Sequence, residues 1–102
     1  MKKIVLTKKA ADLLENLFQY LENEWSVKAR DEFIAKFENA VLQIQKFPKI
    51  ATISKEVPVL HKYILTKQTS VFYRVEKKSI IIIAIFDNRM NPDVLKNLTK
   101  KP

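Results

Sequence analysis

Ser79-Ile80-Ile81-Ile82-Ile83-Ala84-Ile85-Phe86-Asp87-Asn88-Arg89-Met90-Asn91-Pro92 is the stretch on which the fold turns. Four isoleucines in a row, then Ala84 and Ile85, leave no polar face, as in a central strand covered on both sides. The run ends in a short charged segment and a proline, so an apolar strand delivers Asp87 and Arg89 to a defined edge. Two residues apart, they point to the same side if strand geometry continues, and can pair or flank one ligand. The plainer alternative is an ion pair that closes a strand end, since many strands end in charges.

Upstream, His61 to Leu65 and Ser70 to Glu76 read as two more strands. Their connections, Thr66 to Thr69 and Lys77-Lys78, are short enough for an antiparallel meander. Lys77-Lys78 is poor chemistry for a two-residue type I′ turn, which favours a loop one residue longer on each side. In the middle strand Val71, Tyr73 and Val75 make one face, and Phe72 and Arg74 the other. The first set is expected to lie under helices, leaving the opposite face free for function. Arg74 would then converge there with Arg89, Lys62 and Lys67 on a basic surface, an assignment that a register slip of one residue reverses. Residues 49 to 60 show no clean period and contain Pro58, so they read as a connecting loop with room for a short strand.

Toward the N-terminus, Lys2 to Leu6 reads as a short strand and Thr7 as an N-cap. Leu13, Leu14, Leu17, Phe18 and Leu21 recur at helical spacing, predicting an amphipathic helix that ends near Trp25. Ser26 offers a second N-cap, and Phe33, Phe37, Ala40, Val41, Ile44 and Phe47 give a second apolar stripe, stopped by Pro48. Helices joined so closely form an antiparallel hairpin, and their Leu and Phe stripes are core rather than ligand pocket. Asn91 and Pro92 resemble an N-cap and first helical residue, opening a short helix through about Leu98, with Lys100-Lys101-Pro102 as a frayed tail. The expectation is an α+β fold in a single domain, residues 1–102. It has an N-terminal strand, an antiparallel helical hairpin packed on an antiparallel β-sheet meander, and a short C-terminal helix.

Composition narrows the chemistry. The chain holds 102 residues, 47% of them hydrophobic, ample for one core. It has no cysteine, which excludes disulfides and thiol nucleophiles, and one histidine, which cannot build a zinc site alone. The absence of glycine removes Gly-rich phosphate loops, so no cofactor and no metal are expected. No apolar run suits a membrane span or a secretory leader, which predicts a soluble, cytoplasmic protein with no membrane partner. The net charge of +8 is unevenly placed: residues 7 to 47 carry six basic and seven acidic side chains, the rest thirteen and four. A positive surface contributed by the C-terminal half suits nucleic acid or an acidic protein segment. The alternative is a surface whose charge serves solubility alone.

The chain resembles the RelE/ParE superfamily of toxins from type II toxin-antitoxin modules. The resemblance covers nearly the whole chain. It rests on the opening strand into Thr7 with Ala10-Ala11-Asp12-Leu13, on Tyr20-Leu21 and the Trp25-Ser26 break, and on Phe47-Pro48. To these it adds Val71-Phe72-Tyr73-Arg74-Val75 and Phe86-Asp87-Asn88-Arg89-Met90-Asn91-Pro92. It implies a small basic toxin neutralised by a cognate antitoxin whose acidic or amphipathic tail wraps along it. Within the superfamily, ParE-like members poison DNA gyrase and RelE-like members cut mRNA in the ribosomal A site.

Metal-independent RNA cleavage needs a group to activate the 2′-hydroxyl, cations for the phosphorane and an acid for the leaving oxygen. RelE-like nucleases resemble one another in placing basic residues at alternate positions of the second strand, with an Arg opening the third and another after the fourth. An aromatic residue lies near their C-terminus. At the matching positions this chain holds His61, Tyr63 and Ser70, and only Arg89 is basic as required. The nuclease pattern is thus largely missing, with Arg89, Arg74, His61 and Tyr63 as the catalytic candidates of a variant endoribonuclease. A lone histidine at a strand start is more often structural than catalytic. The ParE-like reading needs no reaction chemistry. Its target-binding candidates are Lys62, Lys67, Arg74, Asp87, Arg89 and Asn91, with Asp87 orienting Arg89. The reading favoured is a ParE-like toxin directed at gyrase. The alternatives are a ribosome-dependent mRNA interferase or a non-toxic basic module that binds nucleic acid electrostatically.

Overall fold

The computed structural model describes residues 1–55 and 57–89. The expected C-terminal helix and Asn91 lie outside these residues. In chain order the elements are β1 (Lys3–Leu6), α1 (Lys8–Glu24), α2 (Val27–Lys46), β2 (Thr52–Ile53), β3 (His61–Ile64), β4 (Thr69–Val75) and β5 (Ser79–Asp87). The five strands form one sheet in the order β1-β5-β4-β3-β2. β3, β4 and β5 are the expected antiparallel meander, but β1 pairs parallel to β5, with Lys3 opposite Ser79 and Leu6 opposite Ile82. The apolar β5 therefore has a neighbour on each side, as a run without a polar face demands.

Both helix starts follow from their caps. Thr7 Oγ1 accepts from the Ala10 amide at 3.0 Å, and Ser26 Oγ from the Ala29 amide at 2.9 Å. Each satisfies an amide that the first helical turn leaves without a carbonyl partner. The hairpin packs Leu17 and Leu21 of α1 and Phe33, Phe37 and Ile44 of α2 against Val71, Tyr73, Ile80, Ile82 and Ile85 of the sheet. Phe18 and Phe33 meet edge to face at 6.1 Å between helices. Each such side chain contributes about 1.5–3 kcal/mol on leaving water. Phe47 departs from the expected stripe. As the C-cap of α2 it leaves helical geometry and turns out to solvent, 60% exposed.

β5 does not alternate strictly. Phe72 pairs with Ala84 but Tyr73 with Ile82, so Ile83 is an extra residue, a β-bulge. The Thr7 hydroxyl donates to the Ile83 carbonyl at 3.2 Å, and the Thr7 amide to the Ile82 carbonyl at 3.1 Å. One threonine thus caps α1 and satisfies a carbonyl at the bulge. The bulge resets the pleat: Ile80 and Ile82 before it, and Ile85 and Asp87 after it, all face the helices. Unbroken alternation from Ile80 would instead have turned Phe86 inward and Asp87 outward.

The face opposite the helices is less open than the alternation of β4 suggests. Phe72 and Ala84 both lie there and have no exposed surface. The Lys62 ammonium sits 5.9 Å above the centre of the Phe72 ring, within cation–π range.

Candidate functional site

β5 carries Asp87 inward at its C-terminal end, opposite Thr69 at the start of β4. The carboxylate is 1% exposed and accepts four hydrogen bonds. Oδ1 takes the Arg89 amide and Nε, each at 2.9 Å, and Oδ2 takes Arg89 Nη2 at 2.6 Å and Thr69 Oγ1 at 2.5 Å. The guanidinium fork matches the two oxygens, giving a bidentate ion pair. Burial pushes the Asp87 carboxyl up, but the Arg89 side chain, the Thr69 hydroxyl and the Arg89 amide outweigh it and hold the carboxyl below its ordinary range. Hydrogen bonding to Asp87 raises the Arg89 guanidinium further above its already high value. At neutral pH the pair is fixed in its charged form.

Arg89 forms one wall of a cleft of about 210 Å³ where the hairpin tip approaches the β3–β4 turn. Trp25 and Phe33 line it from the helices, Thr66 and Gln68 from the turn. Trp25 is 64% exposed. The cleft is smaller than the roughly 300–1,000 Å³ typical of small-molecule sites. Lys67 projects from the same turn and is exposed.

The other candidates lie elsewhere. Arg74 pairs with Ile81, five residues along β4 from the level of Asp87, or about 17 Å at strand rise. It points to the opposite face, where it binds the Glu76 carboxylate at 2.7 Å. Lys62 shares that face with Arg74. The structure therefore does not bring Arg74, Arg89, Lys62 and Lys67 onto one surface. Lys62 and Arg74 stay together on the far face, and Lys67 and Arg89 at the end of the sheet.

His61 and Tyr63 point toward the helices. The His61 ring stacks on Tyr73 at 5.1 Å, and its Nδ1 is 2.9 Å from the Ala51 carbonyl, which fixes Nδ1 as the donor. The Tyr73 hydroxyl donates to the Pro48 carbonyl at 2.7 Å, and burial raises its pKa above the ordinary phenol value. Together the two rings hold the segment that follows α2. Tyr63 is half-buried against the core. The four catalytic candidates thus face different environments, and no two of them are hydrogen-bonded to each other.

Sequence reasoning did not pick out Thr69 as a partner of Asp87. The pairing depends on the cross-strand register after the bulge, which no local pattern carries. Among the described residues no helix is long and apolar enough to cross a membrane.

A family model described as the ParE toxin of the type II toxin-antitoxin system parDE matches residues 4–92. No curated protein sequence matches the chain. Among solved structures, a chain of the chromosomal ParDE toxin-antitoxin system from P. aeruginosa is similar, with a TM-score of 0.73 and 22% identity over 85% of this chain and 96% of that one. A YoeB/ParE toxin from Agrobacterium tumefaciens has a TM-score of 0.60 and 12% identity, covering 83% and 96%. A conserved hypothetical protein from Helicobacter pylori has a TM-score of 0.57 and 17% identity, covering 87% and 97%. These likenesses show the RelE/ParE-type fold, and the family match adds the class.

Proposed function

The chain belongs to the ParE toxin family of type II toxin-antitoxin systems, and from that premise we propose that it arrests growth by binding and poisoning DNA gyrase until a cognate antitoxin neutralises it. The observation that carries this reading is the dispersal of the catalytic candidates. His61 is held by Ala51 and Tyr73, Tyr63 packs on the core, and Arg74 lies on the far face, about 17 Å along the strand from the Asp87–Arg89 pair. Cleaving RNA requires a base, cations and an acid around one phosphate. Poisoning by binding requires none of these.

The antitoxin tail lies along the hairpin and the edge of the sheet. Among the described residues β1 pairs with β5 alone and forms an edge of the sheet, the position at which a strand can be added. Beside it, Ile4 and Leu6 of β1 and Phe37, Val41 and Leu42 of α2 line an apolar groove. Leu42 is 50% exposed there, a surface suited to the apolar face of an amphipathic helix. Acidic residues flanking that helix would answer the chain's +8 charge.

The test is inducible expression followed by gyrase supercoiling and DNA-cleavage assays beside a measurement of ribosome-bound mRNA. Trapped DNA breaks or lost supercoiling with intact mRNA are the expected result. Messages cut at codons with gyrase unaffected would overturn the proposal in favour of ribosome-dependent cleavage. Arg74→Ala is the clean variant for the binding surface, because Arg89 also secures a buried carboxylate and its loss confounds contact with stability.

A further inference from the structure

Because β1 runs parallel to β5, the starts of both strands meet the β4–β5 turn at one end of the sheet. Lys2 Nζ donates to the Glu76 and Lys77 carbonyls at 2.7 and 2.6 Å, and the Lys3 amide to the Lys78 carbonyl at 3.0 Å. α2 returns to the same end, where Gln45 Nε2 donates to the Lys2 carbonyl at 2.9 Å. Lys46 and Lys49 then join Lys2 around an apolar depression formed by Phe47, Pro48, Ile50 and Val75. Three lysines from two separate parts of the sequence thus line a depression beside an exposed phenyl ring, and the backbone of Lys3, Lys77 and Lys78 lies at the same end of the sheet. The carboxylate of Glu76, at the same end, is already bound by Arg74.

We propose that this lysine-lined end binds the phosphate backbone of nucleic acid, with Phe47 stacking on an unpaired base. Lysines brought to one end of the sheet repel one another, and an apolar ring beside them is exposed to water; a polyanion with planar bases relieves both. Lysines are mobile point charges, suited to a backbone whose phosphates present no single fixed geometry. Both depressions are largely apolar, but three lysines line this one, whereas the charged residue on the lining of the groove beside β1 is Glu38. An amphipathic protein tail therefore fits that groove, and nucleic acid fits the lysine end. This inference goes beyond the gyrase reading and does not depend on it.

Fluorescence anisotropy with a labelled 20-nucleotide single strand of mixed sequence, and with its duplex, tests it. Four to five neutralised phosphates predict that duplex affinity falls about 150- to 500-fold between 50 and 200 mM KCl. The triple variant Lys46→Ala, Lys49→Ala, Lys77→Ala should flatten the log–log salt slope by about 2–3. A control of equal charge, Lys8→Ala, Lys9→Ala, Lys28→Ala on the helices, should keep the slope. Phe47→Ala should weaken single-strand binding about tenfold and leave the duplex nearly unchanged. Equal losses in the two triple variants would overturn the proposal, as would no saturable binding at 50 mM. So would a lysine-end variant that loses antitoxin affinity while holding DNA normally, which assigns the end to an acidic protein tail. The gyrase assays separate the two claims. DNA binding by a chain that leaves gyrase untouched sinks the gyrase reading alone, and gyrase poisoning without DNA binding sinks this one alone.

Discussion

Replacing Asp87 by Asn tests whether the ion pair at the end of β5 holds the sheet terminus together. The substitution keeps the volume and one acceptor oxygen but converts the other oxygen into an NH2 donor. Either orientation fails. At the Oδ1 position the NH2 faces two donors, the Arg89 amide and Nε; at the Oδ2 position it faces the donor Arg89 Nη2, while the Thr69 hydroxyl can turn to accept from it. Hydrogen bonds to charged groups are worth about 1.5–3 kcal/mol each; the better orientation loses the one from Arg89 Nη2 outright and leaves the guanidinium without its counter-charge. The Arg89 side chain is 26% exposed and regains some hydration, which lowers the expected cost to roughly 3 kcal/mol at pH 7. For a domain of this size that is a fall in Tm of about 12–24 °C. The cost should also depend on pH. The folded-state pKa of Asp87 lies below its unfolded value, so its contribution is complete above the ordinary carboxylate range and is lost as pH falls through the depressed folded value. Wild type should therefore approach the variant in acid. Urea unfolding followed by far-ultraviolet circular dichroism at pH 7, 5 and 3 reads both effects. A difference below about 1 kcal/mol at pH 7, or one that does not shrink by pH 3, would refute the reasoning.

Further measurements probe the remaining joints. Thr7→Val keeps the β-branched shape but loses the cap to Ala10 and the bond to the Ile83 carbonyl, and should cost about 1–2 kcal/mol in urea unfolding. Tyr73→Phe frees the Pro48 carbonyl and should cost about 1 kcal/mol, with faster hydrogen exchange at the amides of Ile50 and Ser54; unchanged exchange would show the segment is held by packing alone. Arg74→Ala breaks a half-exposed pair with Glu76 and should change stability by less than about 0.5 kcal/mol, so any loss of toxicity it causes reports a contact rather than unfolding. Leu42→Glu places a charge on the apolar groove of α2 and should weaken neutralisation by the antitoxin at least tenfold while leaving the melting curve in place.

The helical hairpin is legible residue by residue, because its information is local. Thr7 and Ser26 cap, Leu17, Leu21, Phe33 and Phe37 recur at helical spacing, and Pro48 stops the second helix. The three meander strands are legible to within a residue or so at each end for the same reason. What periodicity cannot carry is pairing between distant segments. The parallel partnership of β1 with β5 joins residues 76 apart, and it alone brings Lys2 and Lys3 to Lys77 and Lys78. Counting charge along the chain credits the basic excess to the C-terminal half, although the lysines that line the depression come from the N-terminus, Lys2, and from the end of α2 and just beyond it, Lys46 and Lys49.

The bulge at Ile83 shows how far a single unpaired residue reaches. In an all-isoleucine run no side chain marks where the pleat is broken, since Ile81, Ile82 and Ile83 suit either face. The break is settled from outside the strand, by Thr7, whose hydroxyl requires an acceptor and finds one at the carbonyl where the ladder skips. Downstream of the skip every side chain changes faces, so Asp87 turns inward to meet Thr69 and draws Arg89 toward the hairpin tip. The separation of Arg89 from Arg74 follows from this inversion together with the length of β4. An unbroken strand would have placed Asp87 on the face of Arg74 and Lys62. The distribution of basic groups, and with it the argument for a toxin that works by binding, thus depends on one threonine at the start of α1 as much as on the charged residues themselves.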